Sequence, residues 1–377
     1  MKFYMPTRVI FGSGSISNLK QIVEELGASR LFLVTDQGIV KSGIVSRVLE
    51  RVPKIHLFDE IEPNPKYSTV NRAGKMVRKI KPDLVIGLGG GSSLDAAKAI
   101  ALLATNGGNI EDYEGKGKYR TSPLSVLAVP TTCGTGSEVT WVSVITHTER
   151  KFKMSIKGPE MFPKVALIDP DLLISLPKPL IASTGLDALT HAIEAYTVKP
   201  ATFLTDLFAR KSTELIFRFV ERAYKNIEGD REAREKLMLA STLAGLAFGN
   251  SDVGAVHCLA ESVGSLYDTP HGVANSVFLP SVMEFNLPAS ASRYAELAEI
   301  VGIEGESENE KARKLIERIK LLCRTLSIPS FKDLGLKPSE FLEIAQKSFQ
   351  NNSNPSNPRE AAVEDYLRIL EKLFRQS

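Results

Sequence analysis

The feature that most constrains this chain is a change of texture partway along it. Over roughly the first 170 residues, short apolar runs alternate with segments of helical periodicity. Leu31 to Thr35, His56 to Phe58, Leu84 to Leu88, Val126 to Val129 and Val165 to Asp169 read as strands. Ser15 to Leu26, Gly43 to Arg51, Ser68 to Ile80 and Ser93 to Thr105 read as helices between them. Such alternation predicts a Rossmann-like α/β domain with a mostly parallel sheet, whose ligands lie at the carboxyl ends of the strands. Near residue 180 the strand runs give way to helical patterns, including 206–226, 231–249, 293–301, 308–326, 338–350 and 360–375. The expected organisation is therefore an α/β domain over 1–179 and an all-helical domain over 180–377.

Composition excludes several classes. With 377 residues, 43% hydrophobic and 24% charged, the chain has the makings of a globular protein with a large core. The net charge of +3 is small and its basic residues are scattered, which argues against nucleic acid as a partner. Cys133, Cys258 and Cys323 form no CxxC pair, so neither a disulfide framework nor a thiolate zinc site is expected. No apolar run reaches membrane-spanning length, and the N-terminus lacks the pattern of a secretory signal. A cytoplasmic protein is expected.

Two glycine-rich segments follow predicted strands. Gly89 to Asp95 (GGGSSLD) lies between the LVIGL strand and the next helix. Glycines there admit a pyrophosphate to the backbone, and a helix N-terminus offers free N–H groups. Pro130 to Glu138 (PTTCGTGSE) follows the VLAV strand and sets small hydroxyl residues among glycines. Asp36 ends the first strong strand. There it either accepts hydrogen bonds from a ribose, favouring NAD over NADP, or simply caps the following helix.

Three of the five histidines fall into two further motifs. Asp187 and His191 are i and i+4 in a helical pattern, so they share a face. His257 and His271 follow, the latter in a Thr-Pro-His-Gly turn. One carboxylate with three imidazoles suits Fe²⁺ or Zn²⁺. His56 and His147 have no such company.

With these motifs in hand, the sequence resembles the iron-containing alcohol dehydrogenase family from FGSGSI near the N-terminus to SNPRE before the last helix. The most specific parts are GGGSSLDAAK, PTTCGTGSE, GLDALTHAIEAY and TPHGVANSVFLP. The resemblance implies a dehydroquinate synthase-like architecture, with the active site between an N-terminal α/β domain and a C-terminal helical domain. It implies metal ligands at Asp187, His191, His257 and His271. It implies NAD contacts at Asp36, Asn64, Gly90, Gly91, Ser92, Asp95, Thr131, Thr132 and Thr135, with Lys151 as a cofactor-side lysine. It also implies a homodimer or larger assembly acting on a small alcohol or aldehyde.

One position departs from the family. Many members carry a histidine one helical turn after the position of His257, facing the nicotinamide, where this chain has Glu261. That carboxylate acts as a base in proton transfer, adds negative charge near the metal, or only lines the pocket. A different enzyme class with the same plan is dehydroquinate synthase, an NAD- and metal-dependent lyase. Release of NADH at steady state separates the two.

Overall fold

A computed structural model describes residues 2–52 and 54–376. The chain forms two compact units. One holds Tyr4–Leu176 with Ile227–Met238. The other holds Lys2, Phe3, Pro177–Asn226 and the chain from Leu239 onward. The single boundary expected at 179/180 thus becomes a first crossing at 176/177 and a return over 227–238. The return has a visible cause. Buried Arg234 donates to the carbonyls of Ile227 (2.7 Å) and Glu228 (2.6 Å) and pairs with Asp171 at 3.2 Å. Ser13 bonds both Asp171 and Glu235. These bonds pin 227–238 to the segment after the last strand of the α/β unit.

In chain order the α/β unit contains β1 (Arg8–Phe11), α1 (Leu19–Glu25), β2 (Leu31–Val34), α2 (Gln37–Lys41), α3 (Ile44–Leu49), β3 (Ile55–Phe58), α4 (Tyr67–Ile80) and β4 (Leu84–Gly89). It continues with α5 (Gly91–Asn106), β5 (Gly115–Lys116), β6 (Val126–Pro130), β7 (Val142–His147), β8 (Phe152–Lys157) and β9 (Val165–Ile168). Six strands form a parallel sheet in the order β1-β9-β6-β4-β2-β3. Alternate residues of β2 show why it is covered on both faces. Phe32 and Val34 join Val85 and Ile100 in one core, while Leu31 and Leu33 join Leu84, Ile86 and Leu127 in the other.

Every expected strand is present. β1, the two-residue β5 and the antiparallel β7–β8 hairpin are additional. β1 (RVIF) is an edge strand with no fully buried residue, and its short apolar run Val9–Phe11 is largely exposed. The chain order of the sheet reverses between β2 and β4, the place where open α/β sheets bind ligands.

The second unit is helical, with no strand among its described residues. Its helices are α6 (Lys178–Thr197), α7 (Phe203–Asn226), α8 (Arg231–Phe248, whose first residues belong to the α/β unit), α9 (Ala255–Tyr267), α10 (His271–Ile300), α11 (Glu308–Thr325), α12 (Phe341–Gln350) and α13 (Val363–Gln376). α6 is buried almost all round from Ile181 to Thr197, as a central helix must be. α10 corrects two expectations. The Thr-Pro-His-Gly segment is not a free turn, because His271 is the first residue of α10. The helix expected from Arg293 is the end of a single helix of 30 residues. Pro280 and Pro288 lie inside it and interrupt the helical signal in the sequence. Burial of Phe278, Leu279, Val282 and Met283 against neighbouring helices holds it together.

Candidate functional site

In the helical unit, α6 carries Asp187, His191 and Glu194 on one stripe, at i, i+4 and i+7. α9 places His257 in its first turn, and α10 places His271 first and Asn275 one turn later. Gly272 lets α10 come in close. A Cβ there would lie 2.5 Å from the carbonyl oxygen of Ser183 on α6. Any larger residue would push His271 away from Asp187.

These helices bring Asp187, His191, His257 and His271 together, with one ligand atom from each lying within 4.8 Å of all the others. Nε2 of His257 is 3.0 Å from Nε2 of His191, and Nε2 of His271 is 3.7 Å from Asp187 Oδ1. The first three side chains are at most 5% exposed, while His271 is 26% exposed and marks the open side. Asn275 Nδ2 sits 2.7 Å from Asp187 Oδ1, 3.2 Å from His257 Nε2 and 3.1 Å from His271 Nε2. Three potential acceptors therefore converge on one donor group. Convergent lone pairs of this kind are the electrostatic arrangement that receives a cation. Asn275 Oδ1, by contrast, is buried without a hydrogen-bond partner. The donor set fits a divalent Fe or Zn ion.

Two residues of this cluster, Glu194 and Asn275, are not among those expected from the sequence. Glu194 Oε2 lies 2.5 Å from His257 Nδ1, and its Oε1 accepts from the Val256 N–H at 2.8 Å. A donor at Nδ1 leaves the Nε2 lone pair directed at the cluster. Burial opposes charge on His257, yet the Glu194 carboxylate outweighs it and holds its pKa above the ordinary range. Asn357, in the SNPRE motif, accepts from the Ala255 N–H at 3.1 Å and exchanges hydrogen bonds with Asn286. The segment before α13 thereby fixes the start of α9. Cys258 is fully buried, and that burial pushes its thiol pKa well up, so no thiolate competes beside His257. Glu261 is half-buried, and its Oε2 accepts from Asn351 Nδ2 at 2.7 Å.

In the α/β unit the two glycine-rich segments meet. The Thr131 N–H donates to the Gly89 carbonyl at 3.0 Å. A Cβ on Gly91 would lie 2.5 Å from Thr135 Cγ2, and one on Gly90 would lie 3.1 Å from Thr132 Cγ2. Glycine there keeps a main-chain cradle open between the loops. Thr131 Oγ1 is buried without a hydrogen-bond partner. A buried unpaired hydroxyl beside an open main-chain cradle and a helix N-terminus fits a pyrophosphate-bearing cofactor.

Asp36 both caps α2, accepting from the Ile39 N–H at 3.0 Å, and accepts from Ser93 Oγ at 3.2 Å. Ser92 lies in the first turn of α5. Asp95, an expected NAD contact, is held within the protein. Its oxygens are engaged by Ser137 Oγ at 2.5 Å and the Val144 N–H at 3.0 Å, with Lys98 Nζ at 3.4 Å. It braces α5 against the second loop and β7. Lys151, the expected cofactor-side lysine, lies just before β8, and Lys153 lies within it. Lys151 is exposed at a turn with φ 45°, whereas buried Lys153 donates from Nζ to Asn64 Oδ1 at 2.8 Å.

The comparisons with known proteins agree along the whole chain. The family model "Iron-containing alcohol dehydrogenase" matches residues 6–170, and "Fe-containing alcohol dehydrogenase family, C-terminal" matches 181–374. The sequence is 36% identical to an NAD-dependent methanol dehydrogenase of Bacillus methanolicus, over 98% of each chain. The fold matches a 1,3-propanediol oxidoreductase with a TM-score of 0.95 at 37% identity, over 99% of each chain. It matches the sulfoacetaldehyde reductase of Bifidobacterium kashiwanohense in complex with NAD⁺ with a TM-score of 0.90 at 30% identity, over 100% of this chain and 99% of that one. This chain belongs to the iron-containing alcohol dehydrogenase family.

Proposed function

We propose that the chain is an NAD(H)-linked alcohol dehydrogenase and aldehyde reductase for small primary alcohols, diols and their aldehydes. The observation that carries this reading is the convergence of Asp187, His191, His257 and His271 on one point. In it these four residues hold Fe²⁺, with Zn²⁺ accepting the same donors. When bound, the metal supplies a Lewis acid toward the substrate oxygen and NAD supplies the hydride acceptor. Asp187 contributes the charge of the ligand set, and the imidazoles contribute neutral nitrogen donors. Glu194 keeps His257 in the tautomer whose Nε2 is free to ligate. Asn275 Nδ2 lies at the lone pairs of Asp187, His257 and His271 that a bound metal would take.

On the cofactor side, Gly90, Gly91 and Ser92 receive the pyrophosphate at the start of α5, with Thr131, Thr132 and Thr135 as hydroxyl partners. Asp36 meets the ribose, and Lys153 with Asn64 replaces the expected Lys151. We also place the protein in the cytoplasm as a homodimer or larger assembly. No described helix is long and apolar enough to cross a membrane, and no disulfide joins the cysteines.

The test is metal reconstitution. Protein stripped of metal receives Fe²⁺, Zn²⁺ or neither, with NADH and a panel of short aldehydes, and NADH absorbance is followed. Metal-dependent consumption that His257→Ala abolishes is the expected result. Tight NADH binding with no net NADH turnover under any metal would overturn the dehydrogenase reading in favour of transient NAD use, as in a lyase.

A further inference from the structure

Glu261 has a place in this site that the four clustered residues leave unexplained. From Ala255 to Gly264 every residue of α9 is buried except Glu261. It follows His257 by four residues, so the two share a helix face about 5–6 Å apart. The cluster is most open at His271, and α9 is open at Glu261. The carboxylate is also held in place, because Asn351 Nδ2 donates to its Oε2 at 2.7 Å. Asn351 is itself buried and anchored, its Oδ1 accepting from the Ser353 N–H at 2.9 Å. One Asn hydrogen bond leaves most of the acceptor capacity of the carboxylate unused, including that of Oε1.

A fixed, half-buried carboxylate beside a site for a small alcohol selects by charge. We propose that Glu261 is a specificity-determining residue that favours alcohols bearing a positive charge, with an ammonium group roughly one helical turn, about 5 Å, from the reacting hydroxyl. This rests on the alcohol dehydrogenase reading of the same site. The hydroxyl lies at the Asp/His cluster and the ammonium against Glu261. The carbinol carbon gives a hydride to NAD⁺ and the hydroxyl gives a proton to solvent. The products are the amino aldehyde and NADH. An extended three-carbon amino alcohol has the required reach.

The experiment compares 3-amino-1-propanol with its neutral counterpart 1-butanol, using wild-type and Glu261→Gln protein loaded with Zn²⁺. The amide oxygen of Gln still accepts from Asn351, so the substitution removes charge and keeps the brace. Oxidation is read as kcat/KM with NAD⁺, and equilibrium binding of each alcohol is read by titration calorimetry. Wild type is expected to favour the amino alcohol, and Glu261→Gln to lower that ratio by about tenfold, mainly through KM and with a matching loss of binding.

A ratio that Glu261→Gln leaves unchanged, in both kinetics and calorimetry, overturns the proposal while oxidation of 1-butanol still upholds the dehydrogenase reading. If the Zn²⁺ form oxidises neither alcohol, the dehydrogenase reading is decided by the Fe²⁺ and aldehyde panel above, and calorimetry alone decides the proposal. Amino alcohol binding weakened by the substitution supports it, and equal binding overturns it.

Discussion

The two units prepare for their ligands in opposite ways. The α/β unit offers main chain and hydroxyl groups: two glycine-lined loops joined by the Thr131 to Gly89 hydrogen bond, and a helix N-terminus at Gly91. Its one prominent carboxylate at the sheet reversal, Asp36, is only partly buried and doubles as a cap. The helical unit offers buried ionisable side chains: Asp187, His191, Glu194 and His257 are each less than 5% exposed. A main-chain site is open before its ligand arrives and loses little when the ligand leaves. A cluster of buried polar side chains is costly without a partner charge and gains most from a bound cation.

The largest effect should come from the helical unit. His257→Ala removes one of the four proposed ligands and leaves Glu194 buried against a void. Metal affinity should fall by more than the roughly 10–100-fold typical of losing an outer hydrogen-bond partner. Metal content and NADH affinity, measured on the same preparation, test the contrast. Metal should be lost and NADH binding kept, and loss of both would mean the two preparations are not separable. Chelation should lower the thermal midpoint of the wild type, since a metal present at about 100 times its Kd stabilises by about 2.7 kcal/mol. The same chelator should leave His257→Ala nearly unmoved.

Gly91→Val makes the reciprocal cut. Its Cβ would fall 2.5 Å from Thr135 Cγ2, so the second loop must move. NADH affinity should drop by tenfold or more, because closing the cradle removes several main-chain contacts together. Metal content should stay at the wild-type level. Normal NADH binding in this variant would show that the cradle is not where the pyrophosphate lies.

Glu194→Gln sharpens the account of the helical site by separating charge from shape. The amide still accepts from either Val256 or His257, but it cannot offer a carboxylate to Nδ1. A loss of about 10–100-fold in metal affinity is expected. Glu194→Asp shortens the reach to His257 and should fall between. If Gln binds metal like the wild type, Glu194 serves only to fix the start of α9.

The same contrast explains what the sequence discloses. Glycines and small hydroxyls after a strand mark the α/β loops directly, because a backbone cradle admits few other residues. Asp187 and His191 are legible as one face of a helix, but linking them to His257 and His271 requires the fold to close more than 60 positions of chain. Glu194 lies one turn beyond His191, yet a glutamate in an apolar helix carries no local sign that it faces His257 on α9. Asn275 is similarly silent, and the prolines in α10 hide the helix that presents it. Lys153 shows the complementary limit. Strand alternation fixes which side of β8 a residue faces, but a loop of uncertain length before it leaves 151 and 153 as alternatives. Asp95 shows another limit, since nothing local says whether a carboxylate in a loop motif meets a ligand or braces the next loop.

The smallest expected effect is at Asp36, where cap and ligand roles coincide. Glycine is nearly as good a helix N-cap as aspartate, so Asp36→Gly should cost only a few tenths of a kcal/mol in stability. It also removes the negative charge at the end of β2, which would repel a 2′-phosphate and accept from ribose hydroxyls. The ratio of kcat/KM for NADH over NADPH should therefore fall by several-fold to about tenfold, with metal content and thermal midpoint little changed. The partly exposed position keeps the effect modest, because solvent and salt screen the carboxylate. An unchanged ratio would leave Asp36 with its hydrogen bonds to Ile39 and Ser93 alone, as a residue that shapes the loops and does not read the cofactor. The discrimination would then have to come from the cradle itself, and the α/β unit would use no side-chain charge to choose its ligand.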